Sequence, residues 1–218
     1  MTTPHDPSDR AARVADVRHR LPAGTPGVTV AGRILLARHG ETEAKHRRML
    51  LGRHELALTD EGRRQAEELA AIVAGDGIVR LYASPLGRTV ETAEIVAARI
   101  GVQPILDERL TETDKGRWEG RLRADVKAAA PELYRSLRRE PETFRFPGGE
   151  SLIEHQLRVR AALSDIARSP LPALVVAHDG TIRCALALGH HRGLAAFGEP
   201  KVPNARPIPF DTRWLGDA

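Results

Sequence analysis

The sequence predicts an α/β domain of three layers, α/β/α: a mostly parallel central sheet with helices on both faces and a small helical insertion over a cleft. Three observations predict it. Short apolar runs alternate along the chain with stretches of helical period, the order that gives parallel strands joined by crossover helices. Two of those runs, Ile34–Ala37 and Ala173–Ala177, break off alike, one into Arg38-His39-Gly40 and the other into His178-Asp179-Gly180. And 218 residues suffice to bury one full core.

Lysine and arginine outnumber aspartate and glutamate by 33 to 29. That mild excess suits an anionic ligand without demanding nucleic acid, and aromatic residues, at 4%, are too few for a base-stacking platform. No apolar run approaches the ~20 residues of a membrane span, and the N-terminus lacks the apolar core of a secretory signal. A cytoplasmic protein with neither a membrane nor a nucleic-acid partner is therefore expected. Cys184 is the only cysteine, which excludes a disulfide framework and a thiolate metal cluster. No GxxxxGKS/T, strand-following GxGxxG or HExxH pattern occurs, which argues against P-loop nucleotidases, dinucleotide enzymes and zincins.

Residues 1–31 read as a flexible N-terminal extension, broken by Pro4, Pro7, Pro22 and Pro26, with the domain over 32–218. Ile34 to Ala37 is a buried strand by its unbroken apolar run. Lys45, His46, Arg47, Arg48 and Arg53 then crowd a basic loop beside the cleft. Thr59 is placed to cap a helix with Asp60 and Glu61 in its first turn; Ala66, Leu69, Ala70 and Val73 share its inner face. Ile78–Ala83 is a second strand. Ser84-Pro85 caps the next helix and opens it, with an inner stripe of Leu86, Val90, Ala93, Ala97 and Ile100 and a stop at Gly101. Val102–Leu106 is a third, short strand. Residues 121–139 are helical with a break at Pro131, and Pro147-Gly148-Gly149-Glu150-Ser151 turns the chain into a helix running to about Ala167. Ala173–Ala177 is a strand and Ile182–Leu188 a helix. Residues 202–210 add an edge strand, restricted by Pro203, Pro207 and Pro209.

In open α/β sheets, ligands bind just beyond the carboxyl ends of strands. Arg38 and His39 fall there, with Gly40 letting the backbone turn and approach a ligand closely. A histidine beside an arginine can act there as a nucleophile or proton carrier next to an anion clamp. Arg88 comes to the same edge if the strands are parallel, and two arginines with a helix N-terminus would make an anion site. Glu41, Glu112, Asp114 and Glu119 are the carboxylates near the cleft in sequence. His46, His54, His155, His190 and His191 share no ligand spacing on one helix face, so they read as surface or structural residues and no metal site is expected.

Two strands ending in histidine, with Arg88 and Glu112 between them, form a recognisable series. The chain resembles the histidine phosphatase superfamily, in its phosphoglycerate-mutase-like branch. The resemblance rests on Leu36-Ala37-Arg38-His39-Gly40-Glu41-Thr42, Leu58-Thr59 with Gly62 and Gln65-Ala66, and Ser84-Pro85-Leu86-Gly87-Arg88-Thr89 with Glu91-Thr92-Ala93. It continues through Leu110-Thr111-Glu112 with Gly116-Arg117-Trp118-Glu119-Gly120, Pro147-Gly148-Gly149-Glu150-Ser151, and Val175-Val176-Ala177-His178 to Ile182-Arg183. Each piece is weak alone; six in order are specific.

The resemblance implies in-line attack by His39 on phosphorus, giving a phosphohistidine. A neutral imidazole suits this, since a dianionic phosphomonoester repels an anionic nucleophile. Arg38, Arg88 and a protonated His178 would hold the equatorial oxygens. Glu112, its pKa raised by the phosphate, would protonate the leaving alcohol and then take a proton from water. The arginine and histidine cations would neutralise the phosphate, so neither a metal nor a cofactor is implied. Substrate contacts are expected from Gly40, Thr42, Lys45, the backbone of Asp179, and Trp118. Lys45 stands where the family commonly carries a phosphate-contacting asparagine, and Asp179 where a small residue is common; the Asp179 side chain is expected to cap the following helix.

A phosphatase acting on a small phosphorylated metabolite is the expectation, because residues 113–147 are short for the cap of a mutase. A mutase and a catalytically weak phospho-ligand binding module are the rivals. Trp118, Arg121, Arg123, Tyr134, Phe144 and Phe146 are candidates for setting specificity, together with the loop from Lys45 to Arg48. Arg183 is expected to be structural. The oligomeric state is left open, a homodimer included.

Overall fold

The structure, a computed structural model, describes residues 33–216; of Lys45 and His46 it describes only the backbone. The expected N-terminal extension, 1–31, lies outside the described residues.

Five strands form one mixed sheet in the order β3-β2-β4-β1-β5. They are β1 (Ile34–Arg38), β2 (Arg80–Ala83), β3 (Pro104–Leu106), β4 (Ala173–Ala177) and β5 (Pro207–Phe210). The first four run parallel, and β5 is an antiparallel edge strand on β1. The apolar runs are unbroken because both faces of the sheet are covered. Ile34, Leu36 and Val175 pack to one side with helices α6 (Leu152–Ala167) and α7 (Asp179–Leu188). Leu35, Ala37, Leu174 and Val176 pack to the other, with α2 (Asp60–Val73) and α3 (Gly87–Ile100). No helix among the described residues is long and apolar enough to cross a membrane.

The predicted signals act largely where they stand. Thr59 caps α2, its hydroxyl accepting from Gly62 N–H at 3.0 Å. Ser151 and Glu154 make a reciprocal capping box at the start of α6. Gly101 ends α3 at φ +72°, a left-handed position that glycine takes without a steric cost. Pro131 separates α4 (Arg123–Ala129) from α5 (Pro131–Arg139), which with the loops around them form the insertion.

Four local expectations are corrected. The basic stretch past His39 is not all loop: Glu43–Arg47 form a short helix, α1. Ser84 does not cap α3, which opens two residues later after Leu86; its hydroxyl is directed elsewhere. The buried stripe of α3 is rotated to Arg88, Thr89, Thr92, Ala93, Val96 and Ala97, because this helix carries polar side chains inward toward the cleft. The second and third strands are shorter than predicted, with Ile105 and Leu106 half-exposed on the edge strand β3.

Candidate active site

Because β1 and β4 are adjacent and parallel, with Arg38 opposite Ala177, their carboxyl ends release His39 and His178 side by side. The ring centroids are 5.3 Å apart and both rings are buried. His39 Nδ1–H donates to the Gly40 carbonyl at 2.6 Å, leaving the lone pair on Nε2. Burial, followed by the positive charges of Arg88 and Arg38, holds this ring well below the ordinary histidine range, so it is neutral at pH 7. Charge state and tautomer are those of a nucleophile.

His178 Nε2 lies 2.8 Å from Ser84 Oγ, at the end of the neighbouring β2. Burial and then Arg88 and His39 keep this ring neutral too. Arg88, buried in the first turn of α3, spends Nη1 and Nη2 on the carbonyls of His54 (3.0 Å) and Gly52 (2.8 Å). Arg38 Nη1 donates to the Val202 carbonyl at 3.3 Å. Four buried side-chain nitrogens among the described residues have no partner, and three of them are Arg38 Nε, Arg88 Nε and His178 Nδ1. Buried polar groups seldom go unsatisfied; three on the residues that gather around one imidazole suit the oxygens of an anion.

Glu112 reaches the cleft from the loop before the insertion. Its Oε1 accepts from Thr113 N–H at 2.8 Å, and its Oε2 from Gly180 N–H at 3.2 Å in the first turn of α7. A Cβ on Gly180 would stand 2.3 Å from Oε1, so the glycine makes room for the carboxylate. Burial pushes the Glu112 carboxyl up, but the charge of Lys115, 3.8 Å from Oε2, with the hydrogen bond from Thr113 N–H, outweighs it and holds the group well below the usual range; His178 and His155 would push the same way only when charged. The protein's own charges thus favour ionised Glu112 and neutral His178, whereas the sequence expectation of the opposite states was made for the phosphate-bound site. A dianionic phosphate would move both groups back up.

The structure gathers Arg38, His39, Arg88, Glu112 and His178 within one another's fields. Other sequence candidates have different places. A Cβ on Gly40 would meet the Gly62 carbonyl oxygen at 2.2 Å, so the close approach of these two backbones requires glycine there; its N–H donates to Thr92 Oγ1 at 3.1 Å. Asp179 does not cap α7, since His178 holds that position. Its carboxylate pairs instead with Arg183 at 2.8 Å, and lies 3.7 Å from Arg38, so Arg183 is structural as expected. Trp118 is buried against Tyr134, Phe144 and Phe146, with centroids 6.1, 5.8 and 5.7 Å away, so these aromatics form the insertion's core and not a substrate wall. Thr42 is buried in a bridge to Leu58. The Lys45 side chain lies outside the described residues. The N-terminus of α3 is already met by a carboxylate, Glu55, which accepts from Gly87 N–H at 3.1 Å.

Asp114 serves its own loop, accepting from Gly116 N–H, while Glu119 accepts from Lys115 N–H and also from Arg53 N–H at 2.8 Å, tying its loop to the basic stretch. His54 is exposed, and His190 stacks on His191 at the surface. The sequence reading missed Ser84, Thr113, Lys115, His155 and Asn204 as parts of the site. Asn204 Nδ2 donates to the His39 carbonyl at 2.9 Å from a proline-rich segment whose only sequence signal was its restriction.

Residues 34–210 match the histidine phosphatase superfamily (branch 1). A relative from Enterobacter sp. (strain 638), named "Probable phosphoglycerate mutase GpmB", is 36% identical over 171 residues, 78% of this chain and 79% of its own. A mycobacterial glucosyl-3-phosphoglycerate phosphatase, solved with VO3, superposes with a TM-score of 0.74 at 28% identity, over 82% of this chain and 90% of that one. Bacillus stearothermophilus YhfR also gives 0.74, at 27% identity over 79% and 86% of the two chains. Two strand-end histidines, the arginines around them and a match over nearly the whole described domain agree: the chain belongs to the histidine phosphatase superfamily.

Proposed function

We propose that the protein hydrolyses a small phosphorylated metabolite through a phosphohistidine on His39, without a metal ion. One observation carries this reading: Arg38 Nε, Arg88 Nε and His178 Nδ1 are buried without partners beside a neutral His39 whose Nε2 keeps its lone pair. The lone pair attacks phosphorus, the P–O bond to the alcohol breaks, and Glu112 gives its proton to the departing oxygen. Arg38, Arg88 and His178 hold the equatorial oxygens, where charge persists through a loose transition state. Water then attacks the phosphohistidine, Glu112 takes a proton from it, and His39 is restored with release of phosphate.

The test is phosphate release from a panel of phosphomonoesters in EDTA, comparing wild type with His39→Ala. Release by wild type alone supports the reading, and equal release by both proteins overturns it. A second reading is favoured by the relative named as a mutase: the phosphoryl group returns to a sugar acid instead of passing to water. Under that reading the panel yields an isomerised phosphate ester in place of free phosphate. The short insertion supports hydrolysis.

A further inference from the structure

Glu112 is one end of a buried chain of hydrogen-bonding side chains. Its Oε1 lies 3.1 Å from Thr113 Oγ1, which lies 2.8 Å from His155 Nδ1. His155 Nε2 lies 3.2 Å from Thr181 Oγ1, and that hydroxyl donates to the Thr111 carbonyl at 3.0 Å. All four side chains are buried, His155 and Thr113 almost completely. His155 comes from α6, Thr181 from α7 and Thr113 from the loop, so three segments converge where a hydrophobic contact would have sufficed.

We propose that His155 is a positioning residue for Glu112: acting through the Thr113 hydroxyl, it favours the proton-bearing carboxyl and holds that proton in reserve. The proposal rests on the reading of Glu112 as general acid given above.

The proton count follows from the far end. Thr181 has one hydroxyl proton, and the Thr111 carbonyl takes it. The Thr181 oxygen then accepts from His155 Nε2–H, so the neutral ring turns the lone pair of Nδ1 toward Thr113. The Thr113 hydroxyl donates to Nδ1, and its oxygen is left as an acceptor facing Glu112 Oε1. A carboxylic acid completes this arrangement by donating its proton to Thr113; a carboxylate does not. A second arrangement has the same number of protons. The Glu112 proton passes to the Thr113 oxygen as the Thr113 proton passes to Nδ1, breaking one O–H bond at Glu112 and forming one N–H bond at His155. The result is carboxylate and imidazolium, with Thr113 still a neutral hydroxyl. Glu112 and His155 can thus share one proton through Thr113, which suits a group that must give and take a proton in each turnover.

The charges facing this chain divide. Arg158 on α6 and Lys115 on the loop oppose an imidazolium at His155 and so keep the ring neutral, as the carboxylic-acid arrangement requires. Lys115 favours carboxylate at Glu112, as His178 and His155 would only in their charged forms, and Arg88 and His39 also lie within its field. The buried Cys184 thiol on α7 lies within the field of Glu112 and of Glu150. At Glu112 the Thr113–His155 link is therefore set against the charge of Lys115, and its removal has a signed effect.

The experiment measures kcat/KM, which covers the steps up to phosphohistidine formation, for an alkyl ester (glycerol phosphate) and an aryl ester (p-nitrophenyl phosphate). An aryl oxide leaves without a proton and an alkoxide does not. For His155→Leu and for Thr113→Val, the alkyl value should fall about tenfold while the aryl value changes less than twofold. The alkaline limb of the alkyl profile should move about one pH unit lower. The double variant should be no worse than either single one. Thr113→Val keeps the side-chain shape, so the test stands even if His155→Leu fails to fold. Equal losses on both esters, or none on either, overturn the proposal. Glu112→Gln separates the two failures. If it discriminates between the esters and the other variants do not, only this inference falls. If it does not discriminate, the acid role of Glu112 falls and takes the inference with it.

Discussion

Ser84 Oγ stands 2.8 Å from His178 Nε2, so a side chain from the end of β2 aims a ring supplied by β4. With Nε2 engaged, Nδ1 is the nitrogen left without a partner. Two strands thus fix which edge of the imidazole is engaged and which is left open.

Ser84→Ala should release that ring. We expect kcat to fall about tenfold, from loss of one buried hydrogen bond of roughly 1 kcal/mol and of the orientation it sets. Tm should move by only a few degrees. Steady-state kinetics beside thermal denaturation checks both halves, and unchanged kcat would deny Ser84 this role.

Gly180→Ala places a methyl group 2.3 Å from Glu112 Oε1 and 2.8 Å from Thr113 Oγ1. The carboxylate must move, and activity on alkyl esters should drop about a hundredfold, the scale of a displaced general acid. An ester with a good leaving group should suffer far less. Comparable loss on both would point to general disorder of the cleft.

Stability should depend on pH with a definite sign. Burial holds His39, His155 and His178 below their ordinary 6.5, so between the two values the unfolded chain binds protons that the native one refuses. Their contribution is complete above about pH 6.5 and lost as pH falls, by up to about 1.4 kcal/mol per pH unit for each ring. Glu112, held below 4.5, adds a loss of the same sign only at lower pH. Tm should be level from pH 8 to 7 and decline from 6.5 toward 5. In His155→Leu the decline should be shallower by about a third.

Trp118 offers a contrast between packing and recognition. Its truncation to alanine should cost about 3–5 kcal/mol, the range for a buried aromatic. Trp118→Phe should lower Tm and leave the ranking of substrates by kcat/KM unchanged. A reordered ranking would restore Trp118 to the substrate wall.

Much of this was legible in the sequence because it is written locally. An apolar run ending in Arg38-His39, and another ending in His178, mark strand ends, and parallel pairing brings them together without further information. Thr59, Gly101 and Ser151 act within their own turns, so spacing suffices. The misreadings arose where meaning depends on partners far along the chain. Ser84 looks like a cap until β4 places His178 beside it. Gly40 has a further reason to be glycine that its own turn does not show, the backbone of Gly62, 22 positions on. Trp118 looks like a specificity residue until Tyr134, Phe144 and Phe146 close around it. His155 gave no signal, since its partners, Thr113 and Thr181, lie on two other segments.

The hold on Arg88 bears on how such a protein could be altered. Its two Nη groups are fastened to the carbonyls of Gly52 and His54, and two residues before Gly52 the backbone of Leu50 is tied to Gly120 and Arg121 at the mouth of the insertion, at 2.9 Å each. The stretch that carries Gly52 and His54 is therefore also the anchor of the arginine proposed above to hold phosphate. Grafting a foreign loop onto residues 48–54 would detune that arginine along with selectivity, so the two traits are not modular. New substrate preferences are better sought by exchanging the exposed side chain of Arg48, with the backbone that grips Arg88 kept intact and with it Arg53, whose guanidinium reaches the Glu112 carbonyl and Glu150.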